Sequence, residues 1–142
     1  MKIEILKGTD TRVYQLIGPY AMDTGYIRRN GNPITTSPHH SWYVGFDEKG
    51  KMLCFCSLKS SASTKNVQIA NLHNLSGQQE IFETLINRII QITSEKGLIL
   101  RSYAHNSSLE AFLQLGFEIS RHGVNWHILT YNDSLRSDTE KD

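Results

Sequence analysis

The sequence has little of what marks an exported, membrane-spanning or nucleic-acid-binding protein. Its 142 residues include only two cysteines and three prolines, and the formal net charge is +1. The i, i+2 spacing of Cys54 and Cys56 puts both on one face of a predicted strand, where a disulfide between them is geometrically awkward. We interpret both as reduced core residues of a cytoplasmic protein. A net charge near zero provides no general attraction to nucleic acid or anionic lipid.

Long apolar runs are also missing. No run reaches the ~18 residues that a membrane-spanning helix needs, and the first residues lack the apolar segment of a secretory signal. We therefore expect neither a membrane nor a nucleic acid as a partner.

The adjacent His39 and His40 invite a metal hypothesis, but neighbours on an extended segment point to opposite faces and make a poor chelate. No metal site is predicted.

The composition supports one globular domain. Hydrophobic residues make up 39% of the chain and charged residues 20%, which is typical of globular proteins. The length is sufficient for one substantial core. We expect a single domain over residues 1–131. Residues 132–142, which include one apolar side chain, are predicted to be a disordered tail.

The centre of the chain has the pattern of a strand, a helix and a second strand. Residues 67–75 and 98–103 are predicted strands, and apolar side chains recur at helical spacing between them: Ile81, Phe82, Leu85, Ile86, Ile89 and Ile90. Ser76 stands three residues before Gln79, the spacing of a capping box, which predicts a helix that begins near Gly77. Strands joined in this way pair in parallel through a right-handed crossover. The start of such a helix also offers free N–H groups to an anion.

The flanking segments predict further strands and short helices. Strands are expected over residues 1–6, 41–46, 51–58 and 124–131, with another after Leu115. A first helix is expected to end at Gly18-Pro19, because proline cannot continue the helical hydrogen bonds. Ser107 or Ser108 is expected to cap a short helix that bears Phe112.

This order of elements, together with the segment N-S-S-L-E-A-F-L-Q-L-G-F at residues 106–117, resembles the GNAT superfamily of N-acetyltransferases. The segment is similar to the family's short helix followed by Leu-Gly-Phe, and the resemblance covers about residues 1–131. It implies an α/β (α+β) fold with a mixed, mostly antiparallel sheet of about six or seven strands, a parallel βαβ unit at its centre and helices on both faces. It also implies an enzyme that uses acetyl-CoA as a co-substrate. The acceptor would be a primary amine on a small molecule or a protein.

The resemblance assigns the cofactor contacts to a loop and to a short helix. In the family, the loop before the long helix carries Arg/Gln-x-x-Gly-x-Gly/Ala, whose backbone amides hold the pyrophosphate of the coenzyme. The matching residues here begin at Gly77 and place Glu80 and Phe82 where the family has small residues. Glu80 brings a negative charge and Phe82 brings bulk. The expected cofactor-binding residues are Leu72, Gly77, Gln78, Gln79, Ile81, His105, Ser108 and Phe112.

The resemblance also indicates where the catalytic groups should lie. His73 follows the strand beside the expected cleft and could deprotonate an amine, since a free imidazole titrates near pH ~6.5. The family's usual acid is a tyrosine at the position of Phe112, which has no proton to donate. Tyr103, at the end of the next strand, could take over that role. The alternatives are a loop histidine and a tyrosine that serves only in packing.

Two other functions stay open at this stage. One is a GNAT-shaped regulatory or protein-binding module that no longer binds coenzyme A, which the altered loop at residues 77–82 favours. The other is a divergent transferase that modifies a nucleic acid or uses another acyl donor, against which the small net charge argues mildly. The sequence does not decide the acceptor, nor whether the chain forms a homodimer.

Overall fold

A computed structural model describes residues 1–30, 33–61 and 63–131, so that the predicted tail at residues 132–142 lies outside the described part. The strands are β1 (Lys2–Lys7), β2 (His40–Phe46), β3 (Met52–Ser60), β4 (Asn66–Asn74), β5 (Ile99–His105), β6 (Glu118–Arg121) and β7 (Trp126–Tyr131). The helices are α1 (Thr11–Ala21), α2 (Thr24–Asn30), α3 (Gln79–Glu95) and α4 (Asn106–Gln114).

The strands form one sheet in the order β1-β2-β3-β4-β5-β7-β6. The β4–β5 pair is parallel, and the other five neighbouring pairs are antiparallel. Helix α3 connects the two parallel strands, as the βαβ pattern predicted. The mixed, mostly antiparallel sheet expected from the resemblance is therefore confirmed.

Each face of the sheet carries its own core, because the apolar residues of the strands alternate between the faces. The stripe on α3 packs with residues of α4 and one sheet face, in a cluster that includes Leu85, Ile86, Ile89, Ile69, Leu100, Phe112, Phe117 and Leu129. On the other face, Val13 and Ile17 of α1 pack with Trp42, Val44 and Phe55. Helices cover both faces, as predicted. Cys54 and Cys56 are free and fully buried, which confirms them as core residues.

The start of the long helix differs from the prediction. Helix α3 begins at Gln79, and its N-cap residue Gln78 makes no side-chain capping bond. Ser76 does not form the expected capping box. Its hydroxyl instead donates to Asn74 Oδ1 at 2.6 Å and accepts from the Gln78 N–H at 3.1 Å, which closes a local turn before the helix. The turn passes through Gly77, whose φ of 69° suits glycine.

Two other helix ends also differ. Helix α1 does not stop at Gly18-Pro19 but continues to Ala21 with Pro19 inside it. The last turn survives because the Met22 N–H still reaches the Gly18 carbonyl at 2.9 Å. Helix α4 is capped by His105, whose imidazole accepts from the Ser107 N–H, so the expected serine cap is wrong.

Within the described residues, no helix combines the length and the apolar character that crossing a membrane requires.

Candidate functional site

The two parallel strands separate towards their carboxyl ends and open a cavity. Their register pairs Asn66–Ile69 with Ile99–Ser102 and stops there, although β4 continues to Asn74 and β5 to His105. The cavity between the separated ends has a volume of about 360 Å³. Residues of β4, β5, α4, β7 and the segment after α2 line it. Beyond Ile69, the edge of β4 that faces β5 has no ladder partner among the described residues.

A β-bulge shapes β4 at this point. Opposite β3, Phe55 pairs with His73 and Ser57 pairs with Ala70, so that β4 spans three residue steps where β3 spans two. The extra residue leaves Asn71 with a φ of 52°, a left-handed conformation that side chains other than glycine rarely adopt. The register assigns neither Asn71 nor Leu72 a partner residue on either side.

The Asn71 side chain fastens the bulge to the segment that follows α2. Its Oδ1 accepts from the Thr35 N–H at 3.1 Å, and its Nδ2 donates to the Thr35 carbonyl at 2.8 Å. The same Nδ2 also donates to the Ser57 hydroxyl at 2.9 Å. One amide thus binds both backbone groups of a single residue, as a neighbouring strand would. We call these three bonds the Asn71 bracket.

Further polar contacts hold the bracket in place. Nδ1 of the buried His40 lies 2.9 Å from the Ser57 hydroxyl. The Thr36 hydroxyl donates to the Gly8 carbonyl and accepts from the Trp42 indole N–H, both at 2.8 Å. Burial lowers the pKa of His40, and the nearby Lys59 adds to this effect, so that His40 is neutral at pH 7. The cavity wall formed by this segment is therefore tied to the sheet at several points.

His73 lies at the end of the bulge and lines the cavity. Its Nδ1 is 2.7 Å from the Tyr26 hydroxyl, and its ring lies 5.1 Å from that of Phe55. Burial lowers the pKa of His73, so that the imidazole is neutral at pH 7. No residue in the described ranges hydrogen-bonds its Nε2. Burial likewise raises the pKa of Tyr26, which keeps the phenol protonated beside it.

The opposite wall of the cavity is aromatic. Tyr103 on β5 and Trp126 on β7 both line it, and they are 53% and 45% exposed. The ring of His105 stands edge-on to that of Trp126 at 5.1 Å. At this exposure Tyr103 is not a core residue, and its role as an acid stays a prediction.

The short helix α4 supplies the floor. Ser108 and Phe112 line the cavity, and the Ser108 hydroxyl donates to the His105 carbonyl at 3.3 Å. Phe112 is 1% exposed and contacts the rings of Phe82 and Phe117 edge-on, at 5.2 Å and 5.1 Å. Phe82 is buried in this cluster. The expectation that it adds bulk to the coenzyme loop is therefore wrong, whereas Glu80 is exposed in the first turn of α3.

The structure brings together most, but not all, of the residues predicted from the sequence. Six of them line the one cavity: Leu72, His73, Tyr103, His105, Ser108 and Phe112. Gly77, Gln78, Gln79 and Ile81 lie outside the lining, in the turn before α3 and its first residues. Asn71, Tyr26 and Trp126 were not predicted. Asparagine adopts a left-handed conformation more often than most residues, so Asn71 within a strand pattern is a weak signal of irregular backbone, but nothing local connects Tyr26 to His73.

The described residues contain no group of three or more His, Cys, Asp or Glu side chains that could hold a metal ion. Along the cavity, the described lining includes no Asp, Glu, Lys or Arg. The polar groups available to it are imidazole, phenol, hydroxyl, side-chain amide, indole N–H and backbone groups.

No family model and no curated protein match the sequence. Solved structures do match. ElaA from Escherichia coli is similar over 92% of this chain and 99% of that chain, with 11% identity and a TM-score of 0.70. An acyl-CoA N-acyltransferase from Pseudomonas aeruginosa is similar over 92% and 99%, with 10% identity and a TM-score of 0.70. PaiA N-acetyltransferase from Thermoplasma acidophilum, in complex with coenzyme A, is similar over 93% and 99%, with 15% identity and a TM-score of 0.66.

These matches extend over nearly the whole of each chain and include named acetyl- and acyltransferases. Together with the seven-stranded order and the separated parallel pair, they show that this chain has the GNAT fold. The resemblance predicted from the sequence is confirmed at the level of the fold.

Proposed function

We propose that this chain is an acyl-CoA-dependent N-acyltransferase that moves an acetyl group from coenzyme A to a primary amine. The observation that carries the proposal is the cavity between β4 and β5, which contains an uncommitted strand edge and a neutral imidazole. Neighbours with this fold include an acyl-CoA N-acyltransferase and an N-acetyltransferase in complex with coenzyme A. The two buried free thiols are consistent with a reducing, cytoplasmic location.

The donor would lie along the unpaired edge of β4. In this arrangement the N–H groups around Asn71 and Leu72, which lack register partners, would hydrogen-bond the thioester carbonyl. Donors fixed in advance at the bulge favour the oxyanion that forms when the carbonyl is attacked. The pyrophosphate would lie at the start of α3, where the N–H groups of Gln79 and Glu80 precede the first helical bonds.

His73 would be the general base. If its Nδ1–H donates to the Tyr26 hydroxyl, Nε2 keeps the lone pair that takes a proton from the amine. Tyr26 is then a positioning residue that holds the imidazole ring in place. The neutral amine forms the C–N bond, the C–S bond breaks, and the thiolate takes a proton from Tyr103 or from water. Loss of a positioned base typically lowers the rate by a factor of about 10²–10⁴.

Substitution of His73 tests this role. We expect His73→Gln to lower kcat by that factor, roughly 10²–10⁴, while coenzyme A binding is retained. His39→Gln is the matched control, because His39 is exposed and lies outside the cavity lining. Release of free thiol from acetyl-CoA in the presence of an amine panel measures both variants. Equal rates for the two variants would remove His73 from the mechanism.

Coenzyme A binding tests the proposal as a whole. Titration calorimetry at low and moderate salt should detect binding to the wild-type protein and tighter binding to Glu80→Gln. Two like charges about 4 Å apart repel by ~4 kcal/mol at an effective dielectric of ~20, before salt screening. Gly77→Asp should weaken binding relative to Gly77→Asn, since both residues tolerate the φ of 69° and only one is charged. No heat for any variant at millimolar coenzyme A would favour a non-catalytic binding module instead.

A further inference from the structure

The cavity wall formed by β5 and β7 has an unusual composition for an open site. Tyr103 and Trp126 are among the large apolar side chains that the fold leaves exposed, at 53% and 45%. Both line the cavity, and both lie on the same sheet face, because the register pairs Tyr103 with Ile128 and His105 with Trp126. Exposed aromatic side chains that border a cleft commonly mark a surface that a ligand covers.

The wall on the β4 side is held in place by hydrogen bonds. It includes Pro33 and Thr35, and the Asn71 bracket binds both backbone groups of Thr35. This wall cannot move aside easily without breaking the bracket. A ligand that fills this cavity and contacts His73 therefore shares the cavity with this fixed segment and with the two aromatic rings.

The lack of charged side chains in the described lining also bears on which class of amine the cavity accepts. None of the described residues that line the cavity is acidic, so a second ammonium group on an acceptor would find no carboxylate there. The faces of Tyr103 and Trp126 are the partners left to an ammonium group, and a cation–π contact of about 0.5–2 kcal/mol offsets only part of the large cost of taking that group out of water. A ring stacked on Tyr103 or Trp126 instead gains free energy when it leaves water, because the contact buries apolar surface on both partners.

We propose that the acceptor is a primary amine that carries an aromatic ring, and that the ring lies against Trp126 and Tyr103 while the amino group reaches His73. This inference rests on the proposed N-acyltransferase function. It names the class of amine that the same cavity selects. The alternative acceptors, a linear aliphatic amine and a polyamine, are outcomes of the test.

The test compares three amines with the full-length protein. These are 2-phenylethylamine, n-hexylamine and spermidine, each with acetyl-CoA. We expect kcat/KM to be highest for 2-phenylethylamine and lowest for spermidine. Trp126→Ala should raise the KM for 2-phenylethylamine by roughly 3- to 10-fold, the range for loss of one aromatic contact, and should change the KM for n-hexylamine much less. Trp126→Phe keeps a ring and should recover most of the difference.

Several results would overturn the inference. One is a preference for spermidine or n-hexylamine, and another is an equal effect of Trp126→Ala on all three amines. A third is a molar mass in light scattering that differs between Trp126→Ala and the wild-type protein, which would identify Trp126 as a contact between copies. Ligand-observed NMR with 2-phenylethylamine and coenzyme A needs no turnover and separates the two proposals. Coenzyme A binding without binding of the aromatic amine refutes this inference alone. Absence of coenzyme A binding refutes the proposed function, and the inference falls with it.

Discussion

Replacement of Asn71 by glycine is expected to destabilise the protein by about 2 kcal/mol. The substitution keeps the left-handed backbone but removes the three bonds of the bracket. The two bonds to Thr35 are exposed and should each contribute about 0.5 kcal/mol to the free energy of unfolding. The partly buried bond to Ser57 should contribute about 1 kcal/mol. Urea unfolding measured by circular dichroism checks the sum.

Replacement of the same residue by alanine separates the bonds from the backbone strain. Alanine loses the same three bonds and must also adopt a φ of 52°, which costs roughly 1–2 kcal/mol. Its smaller freedom in the unfolded chain returns about 0.4–1 kcal/mol relative to glycine. Asn71→Ala should therefore be less stable than Asn71→Gly by about 1 kcal/mol.

The bracket should also affect the acceptor more than the donor. Release of Thr35 loosens one wall of the cavity, so the KM for the amine should rise in Asn71→Gly while coenzyme A affinity changes little. A glycine variant that unfolds at the wild-type urea concentration would refute the bracket. An alanine variant as stable as the glycine variant would show that residue 71 is not held in the left-handed region.

Two further predictions concern stability. Phe117→Ala should cost roughly 3–5 kcal/mol, because Phe117 is 3% exposed and contacts the rings of Phe112 and Tyr131; an almost unchanged urea midpoint would contradict this burial. The lowered pKa values of His40 and His73 contribute stability that is complete above the unfolded value of ~6.5 and is lost as the pH falls towards the folded values. Unfolding free energies at pH 7.5 and 5.5 should show this loss, and His40→Gln should reduce it.

The elements that the sequence predicts well are those in which one periodicity extends over many residues. The apolar stripe from Ile81 to Ile90 is sufficient to predict the helix and its buried face without reference to the rest of the chain. The strands of the hairpin are similar, since the Asp47–Gly50 turn joins them locally and the Asp47 N–H bonds to the Lys51 carbonyl at 2.9 Å. In both cases the end points move by a residue or two, as helix and strand ends commonly do.

The features that the sequence did not predict depend on competition between neighbouring groups. Ser76 has the right spacing to cap α3, but its hydroxyl donates a hydrogen bond to the nearby Asn74 side chain instead, and the helix starts later. His105 precedes two serines that are better capping residues by type, yet its imidazole reaches the Ser107 N–H first. Spacing alone cannot rank such competitors, because the choice depends on where the preceding strand delivers the chain.

Contacts between distant parts of the chain are the other features that the sequence did not predict. The Tyr26–His73 contact joins residues 47 positions apart, and the Asn71–Thr35 bonds join residues 36 positions apart. No local pattern encodes these pairs. Residues 33–36 look like an ordinary loop in the sequence, and only the folded chain shows that Pro33 and Thr35 line the cavity.

The buried position of Phe82 removes one of the two expected obstacles to coenzyme binding at the altered loop. The sequence alone indicates two obstacles to pyrophosphate binding, a negative charge and a bulky ring. Because Phe82 turns into the core and contacts Phe112, only the exposed charge of Glu80 remains as an obstacle. A steric obstacle would be independent of salt, whereas repulsion between exposed charges weakens as the Debye length falls from ~30 Å at 0.01 M to ~8 Å at 0.15 M. A Glu80→Gln effect that shrinks with added salt is therefore the signature of a coenzyme site altered in charge but intact in shape.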